Sequence, residues 1–189
     1  MNSNDRDDLL GMLAREAYFE RELTLASGRA SNYYIDCKRA LYLPRGAHRA
    51  GELMLDLVIA ERIGQIGGMA AGALPVTDAI VGAAWRRNYD LTGFFVRKEM
   101  KDHGLQQRIE GAFRKDRATA VIDDTITTGG SSLQAVAAMR AAGAIVTHAF
   151  ALVERGEGAA KAFADAGLKY VYLFTAEQVR AAARPGQSA

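Results

Sequence analysis

The chain has 189 residues, which is enough for one domain with a substantial core and too few for two of ordinary size. Its net charge of +2 at pH 7 is too small to indicate nucleic acid or an anionic membrane as the main partner. A single cysteine excludes an intramolecular disulfide and a cysteine-based zinc site, and it favours a reducing, cytoplasmic compartment.

The N-terminal 43 residues predict a helix followed by a small hairpin. The polar, acidic start lacks the apolar segment of a signal peptide, and Asp5 or Asp7 can cap a helix that runs to about residue 22. Alternation over residues 23–43, with a turn at 27–29, then indicates a hairpin of short strands. No apolar run approaches the roughly 18 residues that span a bilayer, so no membrane segment is expected.

Helical and strand patterns alternate from residue 45 onward. A helix is predicted at 45–63, and short apolar segments predict buried strands at 66–71, 92–96, 118–122, 145–153 and 170–174. Further helices are predicted at 76–87, 131–142, 158–166 and 176–183, before a frayed tail at 184–189. This alternation favours a single α/β domain over residues 1–189 with a doubly wound, mainly parallel sheet.

The predicted strand 118–122 ends in two adjacent carboxylates, Asp123 and Asp124. Ligands bind at this edge of open α/β sheets. Two neighbouring anions resist joint ionisation unless cations or hydroxyl donors compensate, so the pair indicates a metal or the hydroxyls of a ribose. Successive residues of a strand point in opposite directions, and we therefore expect the two carboxylates to have different roles.

A turn of mostly small residues follows the acidic pair. It consists of Thr125, Ile126, Thr127, Thr128, Gly129, Gly130 and Ser131. Because a helical stretch comes next, backbone N–H groups, threonine hydroxyls and the helix dipole can surround a phosphate. No lysine follows the glycines, which argues against a P-loop, and the spacing of a dinucleotide fingerprint is missing. The alternative to a phosphate site is that these residues only connect the strand to a capped helix, and that the two carboxylates lie in solvent.

This segment resembles the motif that binds 5-phosphoribosyl 1-diphosphate (PRPP) in type I phosphoribosyltransferases, where a hydrophobic strand precedes two acidic residues and Thr-Thr-Gly. The resemblance implies that Asp123 and Asp124 hold the ribose hydroxyls, and that residues 125–131 hold the 5′-phosphate. It also implies that family's fold, a mainly parallel twisted sheet flanked by helices, with a small N-terminal hood at about residues 1–43.

Residues 97–111 are charged and bounded by glycine, as is typical of an exposed loop. Arg97, Lys98, Lys101 and His103 can stabilise pyrophosphate as it leaves, although the near balance with acidic residues also fits a solvated hairpin. The pattern Arg-Lys-x-x-Lys-x-His-Gly is similar to the catalytic loop of orotate phosphoribosyltransferases. That similarity implies that all four bind pyrophosphate, and that Lys101 and His103 are catalytic together with the acidic pair.

Other segments resemble the same family, so that the resemblance covers residues 23–156. Residues 27–36 are similar to a segment that helps to cover the orotate site, and residues 67–75 to a glycine-rich pyrophosphate loop. Arg155 falls where the family places an arginine that contacts orotate. Because orotate is a planar anion, a cation, polar donors and a flat wall are expected to bind it, and Arg155, Tyr34, Ile35 and Thr127 can provide them. The alternatives are that Tyr34 packs in the core and that Arg155 forms a surface ion pair.

The resemblance implies transfer of the phosphoribosyl group from PRPP to orotate, which gives orotidine 5′-monophosphate and pyrophosphate in pyrimidine (UMP) synthesis. It implies Mg²⁺ held mainly by substrate as the cofactor, and a homodimer with shared active sites. Ala26 and Gly72 stand where many members carry lysine, and Leu74 where some carry an acidic residue, which leaves another nucleobase open. A PRPP-sensing regulator is the second alternative, against which the intact basic loop argues.

Overall fold

A computed structural model of the chain describes residues 3–24, 30–99 and 108–184. The N-terminal part begins with α1 (Ser3–Met12), which continues as a short π-helix over Leu13–Ala17. An antiparallel strand pair follows, formed by β1 (Tyr18–Thr24) and β2 (Ala30–Ile35). Two helices, α2 (Cys37–Leu41) and α3 (Pro44–Ala60), then lead into the main sheet.

Strands and helices alternate through the remainder of the described chain. The elements are β3 (Gln65–Met69), α4 (Ala73–Arg86), β4 (Thr92–Val96), β5 (Ile109–Gly111), β6 (Ala118–Ile126), α5 (Gly130–Ala141), β7 (Ile145–Glu154), α6 (Ala159–Asp165), β8 (Lys169–Thr175) and α7 (Ala176–Ala183). The sheet has the order β5-β4-β3-β6-β7-β8, and its neighbouring strands are parallel except for β4 and β5. The predicted α/β architecture with a mainly parallel sheet is confirmed.

Apolar side chains cover both faces of this sheet, which explains the almost continuous apolar runs of its strands. On one face, residues of α1, α3, α4 and α7 pack around Ile122 and Phe150. On the other face, α5 and α6 contribute Met139 and Phe163 to a second cluster around Val121. Among the residues described, no helix is both long and apolar enough to cross a membrane.

The N-terminal boundaries differ from the predictions. The first helix ends at Ala17 instead of near residue 22, because Tyr18 starts a strand that pairs with Ile35 and its ring stacks 5.9 Å from that of Tyr33. The hairpin predicted at 23–43 is therefore shifted toward the N-terminus, and its last part is the helix α2. The predicted turn at 27–29 lies outside the described residues.

Two further predictions were wrong in extent. Strand β6 continues to Ile126 instead of ending at residue 122, because Asp123, Thr125 and Ile126 pair with β7. The segment predicted as a loop at 97–111 contains β5, which pairs antiparallel with β4. The other predicted strands and helices agree with the structure to within three residues at each end. Of the predicted tail, the structure describes Arg184 alone.

Candidate active site

The acidic pair lies near the C-terminal end of β6, where Asp123 is 7% exposed and Asp124 5% exposed. The two carboxylates have different partners. Asp123 accepts hydrogen bonds from the Ser132 hydroxyl (3.3 Å) and from the backbone N–H of Asp124 (3.0 Å). Asp124 instead faces the Lys38 ammonium, with 3.5 Å between Nζ and Oδ2. The pair thus connects α5 on one side with α2 on the other.

Burial makes both carboxyl groups reluctant to ionise. Desolvation and the nearby charge of Asp124 raise the pKa of Asp123 to about 7, although the Asp124 N–H and the Ser132 hydroxyl oppose the shift. Desolvation also raises the pKa of Asp124, against the opposing charge of Lys38. Hydrogen-bond donors or a cation brought by a ligand would therefore stabilise the ionised pair.

The predicted phosphate turn is divided between a strand and a true turn. Thr125 and Ile126 belong to β6, and the Ile126 side chain is buried in the apolar core, so only its backbone is available to the site. Thr127 and Thr128 follow as the turn proper, and Gly129 closes it with φ +82°.

Helix α5 begins directly after this turn with exposed residues at Gly130 and Ser131. No side chain caps its first turn within the described residues. Its first backbone N–H groups lack partners inside the helix, and together with the helix dipole they form a site suited to an anion. Residues 127–131, which are predicted to hold the phosphate, thus lie at the start of this helix.

Arg155 lies just beyond β7 and joins the sheet to the N-terminal strand pair. Its guanidinium lies 4.4 Å from the ring centroid of Tyr33 and donates to the Ser31 hydroxyl at 3.2 Å. Nε also donates to Glu157 at 3.3 Å. The side chain is only 3% exposed, which excludes the alternative of a surface ion pair. A cation is thus held beneath the strand pair predicted as the hood.

The strand β2 presents Tyr33 to this arginine, whereas Tyr34, which is predicted to bind orotate, lies on the opposite face of the strand. Ser31, Tyr33 and Ile35 alternate on the more buried face, whereas Tyr34 is 39% exposed, which excludes core packing for that ring. Side chains two residues apart lie on the same face of a strand, so the apolar Ile35 is the sequence signal that places Tyr33 on the buried face.

Lys38 is a candidate site residue that the sequence pattern does not indicate. It projects from α2 and bridges Asp36 (2.7 Å to Oδ1) and Asp124. Its neighbour Cys37 is fully buried, with Sγ 3.3 Å from the Thr125 hydroxyl oxygen. The sequence pattern predicts an extended hairpin at residues 37–41, whereas the chain there forms the helix α2, which sets the direction of Lys38.

The loop before α4 approaches the acidic pair closely. A Cβ atom added at Gly72 would lie 2.7 Å from Oδ1 of Asp123 and 3.2 Å from Oδ1 of Asp124. The segment similar to a pyrophosphate loop is therefore in direct contact with the predicted ribose-binding carboxylates. No side chain fits at position 72 unless Asp123 moves.

The described part of the basic segment lies beside the same loop. Ala70, Ala71 and Phe95 line a cavity of about 410 Å³ together with Arg97, Lys98 and Glu99. The Arg97 guanidinium pairs with Glu110 on β5 at 2.9 Å, and Lys98 is exposed. Lys101 and His103 lie outside the described residues.

The buried acidic pair offers carboxylate oxygens, which are ligands that a magnesium ion prefers. Within the described ranges, no three histidine, cysteine or acidic side chains come together as a ready-made metal site. The buried acidic pair, whose ionisation a cation would favour, is the place where the protein can contact such an ion.

Comparison with known proteins identifies close relatives over nearly the whole chain, although no family profile matches it. A protein of Rhodopirellula baltica called orotate phosphoribosyltransferase is 41% identical over 179 residues, or 92% of this chain and 93% of the relative. A crystal structure of Mycobacterium tuberculosis orotate phosphoribosyltransferase in complex with Fe(III) dicitrate matches with a TM-score of 0.81 and 35% identity, covering 93% and 98% of the two chains. The complex of that enzyme with PRPP matches with a TM-score of 0.78 and 32% identity, over the same shares.

Proposed function

The chain belongs to the orotate phosphoribosyltransferase family, and from this premise we propose that it transfers the phosphoribosyl group of PRPP to orotate in pyrimidine synthesis. The products are orotidine 5′-monophosphate and pyrophosphate. The observation that carries the proposal is the buried acidic pair at the end of β6, followed at once by the phosphate turn and α5. This arrangement offers acceptors for ribose hydroxyls beside N–H donors for a 5′-phosphate.

Asp123 and Asp124 hold the ribose of PRPP by accepting hydrogen bonds from its hydroxyls. The turn at 127–131 and the first turn of α5 bind the 5′-phosphate, which fixes the sugar between two anchored ends. Orotate N1 then attacks C1 of the ribose while the bond from C1 to pyrophosphate breaks. Positive charge develops on the ribose during this step, and the ionised carboxylates stabilise it.

Orotate binds between the hood and the end of β7. The Arg155 guanidinium supplies a cation for the orotate carboxylate, and its buried position strengthens that attraction. Tyr34, Ile35 and the Thr127 hydroxyl complete the proposed acceptor site. The planar base requires flat or apolar walls, which the strand β2 offers.

The leaving pyrophosphate is stabilised by cations. Arg97 and Lys98 border the cavity beside Ala70 and Ala71, and Lys101 and His103 are proposed to join them from the loop that follows. A magnesium ion held mainly by PRPP oxygens would supply additional positive charge at the pyrophosphate. The single cysteine is consistent with a cytoplasmic enzyme.

The experiment that tests this function is a PRPP-dependent assay that follows the absorbance of orotate. We expect orotate to be consumed, and adenine, guanine, hypoxanthine, xanthine and uracil to remain unchanged under the same conditions. Consumption of one of these bases in place of orotate would show that Ala26, Gly72 and Leu74 mark a change of acceptor. PRPP binding without consumption of any base would indicate a regulator.

A further inference from the structure

A charged side chain at position 72 has no room beside the acidic pair unless Asp123 moves. The buried carboxylates of Asp123 and Asp124 lie side by side, and a Cβ at Gly72 would already approach Asp123 to 2.7 Å. A longer side chain there would displace a carboxyl group that holds hydrogen bonds to Ser132 and to the Asp124 backbone. The loop before α4 can therefore contribute backbone groups but no charge from residue 72.

Lys38 reaches the neighbouring carboxyl group, that of Asp124, from the opposite side. Its Nζ lies 3.5 Å from Oδ2 of Asp124, whereas position 72 abuts Oδ1 of that residue. The ammonium and the loop thus flank one carboxyl group. Asp36 holds the ammonium at 2.7 Å, and 38% of the lysine side chain is exposed. The ammonium is therefore anchored by Asp36, on a side chain that remains partly exposed.

Lys38 also remains charged in this environment. Burial alone would lower its pKa, but the hydrogen bond to Asp36 and the charge of Asp124 outweigh that effect and raise the pKa above its ordinary value. Its flexible four-carbon stem allows the ammonium to move by a few ångströms without a change of the backbone.

We propose that Lys38 binds the pyrophosphate group of PRPP and supplies there the positive charge that residue 72 has no room to supply. The inference rests on the proposed function in so far as it takes PRPP as the ligand. In the free protein the same ammonium neutralises Asp124, and on binding it bridges that carboxylate and a pyrophosphate oxygen.

The test compares Lys38→Met, Lys38→Gln and Lys38→Arg with the unchanged protein by calorimetric titration in magnesium buffer. The probes are PRPP, inorganic pyrophosphate and ribose 5-phosphate. Both neutral variants should weaken PRPP and pyrophosphate about 10- to 100-fold, since one charge-assisted hydrogen bond is lost. Ribose 5-phosphate should bind within about twofold of the unchanged protein, and Lys38→Arg should retain most of the affinity.

Lys169→Met is the matched control, because Lys169 also pairs with a carboxylate but lies at the N-terminal end of β8. It should bind all three probes as the unchanged protein does. Lys38→Gln keeps a donor for Asp36 and preserves the comparison if Lys38→Met unfolds, which circular dichroism would reveal.

Unchanged pyrophosphate affinity in a folded neutral variant would overturn the inference. Equal weakening of PRPP and ribose 5-phosphate would also overturn it, since Lys38 would then act only by organising Asp124. Orotate turnover by the unchanged protein is measured separately. Failure of turnover with normal pyrophosphate binding would refute the proposed acceptor and leave the role of Lys38 intact.

Discussion

The carboxyl group of Asp123 combines two opposed requirements, a ligand-binding role and burial in the protein. Its raised pKa means that the folded protein binds this proton more tightly than the unfolded chain does. The stabilising effect of the proton is complete below the ordinary carboxyl pKa of 3.8 and is lost as the pH rises through about 7. The free energy of unfolding of the protein without ligand is therefore lower at mildly alkaline pH than at mildly acidic pH.

We expect Asp123→Asn to increase the free energy of unfolding at about pH 8 while it abolishes tight PRPP binding. One pKa unit corresponds to about 1.4 kcal/mol, so the gain is a few kcal/mol at most. Urea unfolding at about pH 5 and pH 8 measures it. The control Asp165→Asn alters an exposed carboxylate and should change little. An equal dependence on pH in Asp123→Asn and the unchanged protein would refute the assignment.

Arg155 should determine the affinity for the acceptor. We expect Arg155→Ala to raise the KM for orotate about tenfold or more, with a much smaller change in the KM for PRPP, because a buried cation is lost. Tyr33→Leu removes the ring that supports the guanidinium and should raise the same constant by a smaller factor. Steady-state kinetics with each substrate varied separates the two effects. A larger change for PRPP than for orotate would contradict the proposed position of the base.

Among the individual residues, the sequence identifies some members of the candidate site and not others. The carboxylates and the small residues after them are identifiable because their chemistry is unusual beside a buried strand. Tyr33 and Lys38 were missed because their roles depend on geometry: the first on which face of β2 is buried, the second on a helix of five residues. Ile126 was assigned to the phosphate turn, although its side chain belongs to the core.

Among the elements, the junction of β6 and α5 depends on Gly129. Its φ of +82° is a left-handed conformation, and a Cβ there would lie 3.0 Å from the Phe163 ring. We expect Gly129→Ala to lower the free energy of unfolding by about 1–2 kcal/mol, and by more if the ring does not move. PRPP affinity should fall as well, because the turn that holds the phosphate is displaced.

The matched control is Gly167→Ala, which has φ +71° and open space around the added carbon. It should show the backbone cost without the ring contact and without loss of PRPP affinity. Thermal unfolding and PRPP titration of both variants measure the difference. Equal PRPP affinities in the two variants would show that the phosphate binds elsewhere.

The lengths of the elements were harder to predict than their order. Strand β6 extends through four polar and apolar residues beyond the predicted end, because its pairing with β7 is a tertiary contact that local pattern does not contain. The strand β5 was overlooked for the same reason, since three residues carry no periodicity and depend on β4 for pairing. The strands buried on both faces were predictable because their apolar runs are nearly continuous.

At the scale of the whole molecule, the homodimer with shared active sites that the family resemblance implies leads to a specific prediction. Lys101→Ala and Asp123→Asn should each lose nearly all turnover, the first through lost charge at the leaving group and the second through lost ribose binding. If the loop of one subunit serves the site of the other, a mixed dimer contains one intact site and one doubly altered site.

Refolding the two variants together should therefore restore about a quarter of the unchanged activity, since half of the dimers are mixed and each has one working site. Steady-state turnover of the refolded mixture, compared with each variant refolded alone, is the measurement. No recovery in a mixture shown to contain mixed dimers would mean that each subunit completes its own site.

The position of Cys37 offers a view of motion in the molecule. Burial raises the pKa of this thiol, and the Thr125 hydroxyl lies against it beneath the acidic pair. A thiol in that state reacts with alkylating reagents only while the surrounding structure is open. Because the chain contains no other cysteine, the rate at which the protein is alkylated measures how often the structure around Cys37 opens. A ligand that holds α2 against β6 would lower this alkylation rate.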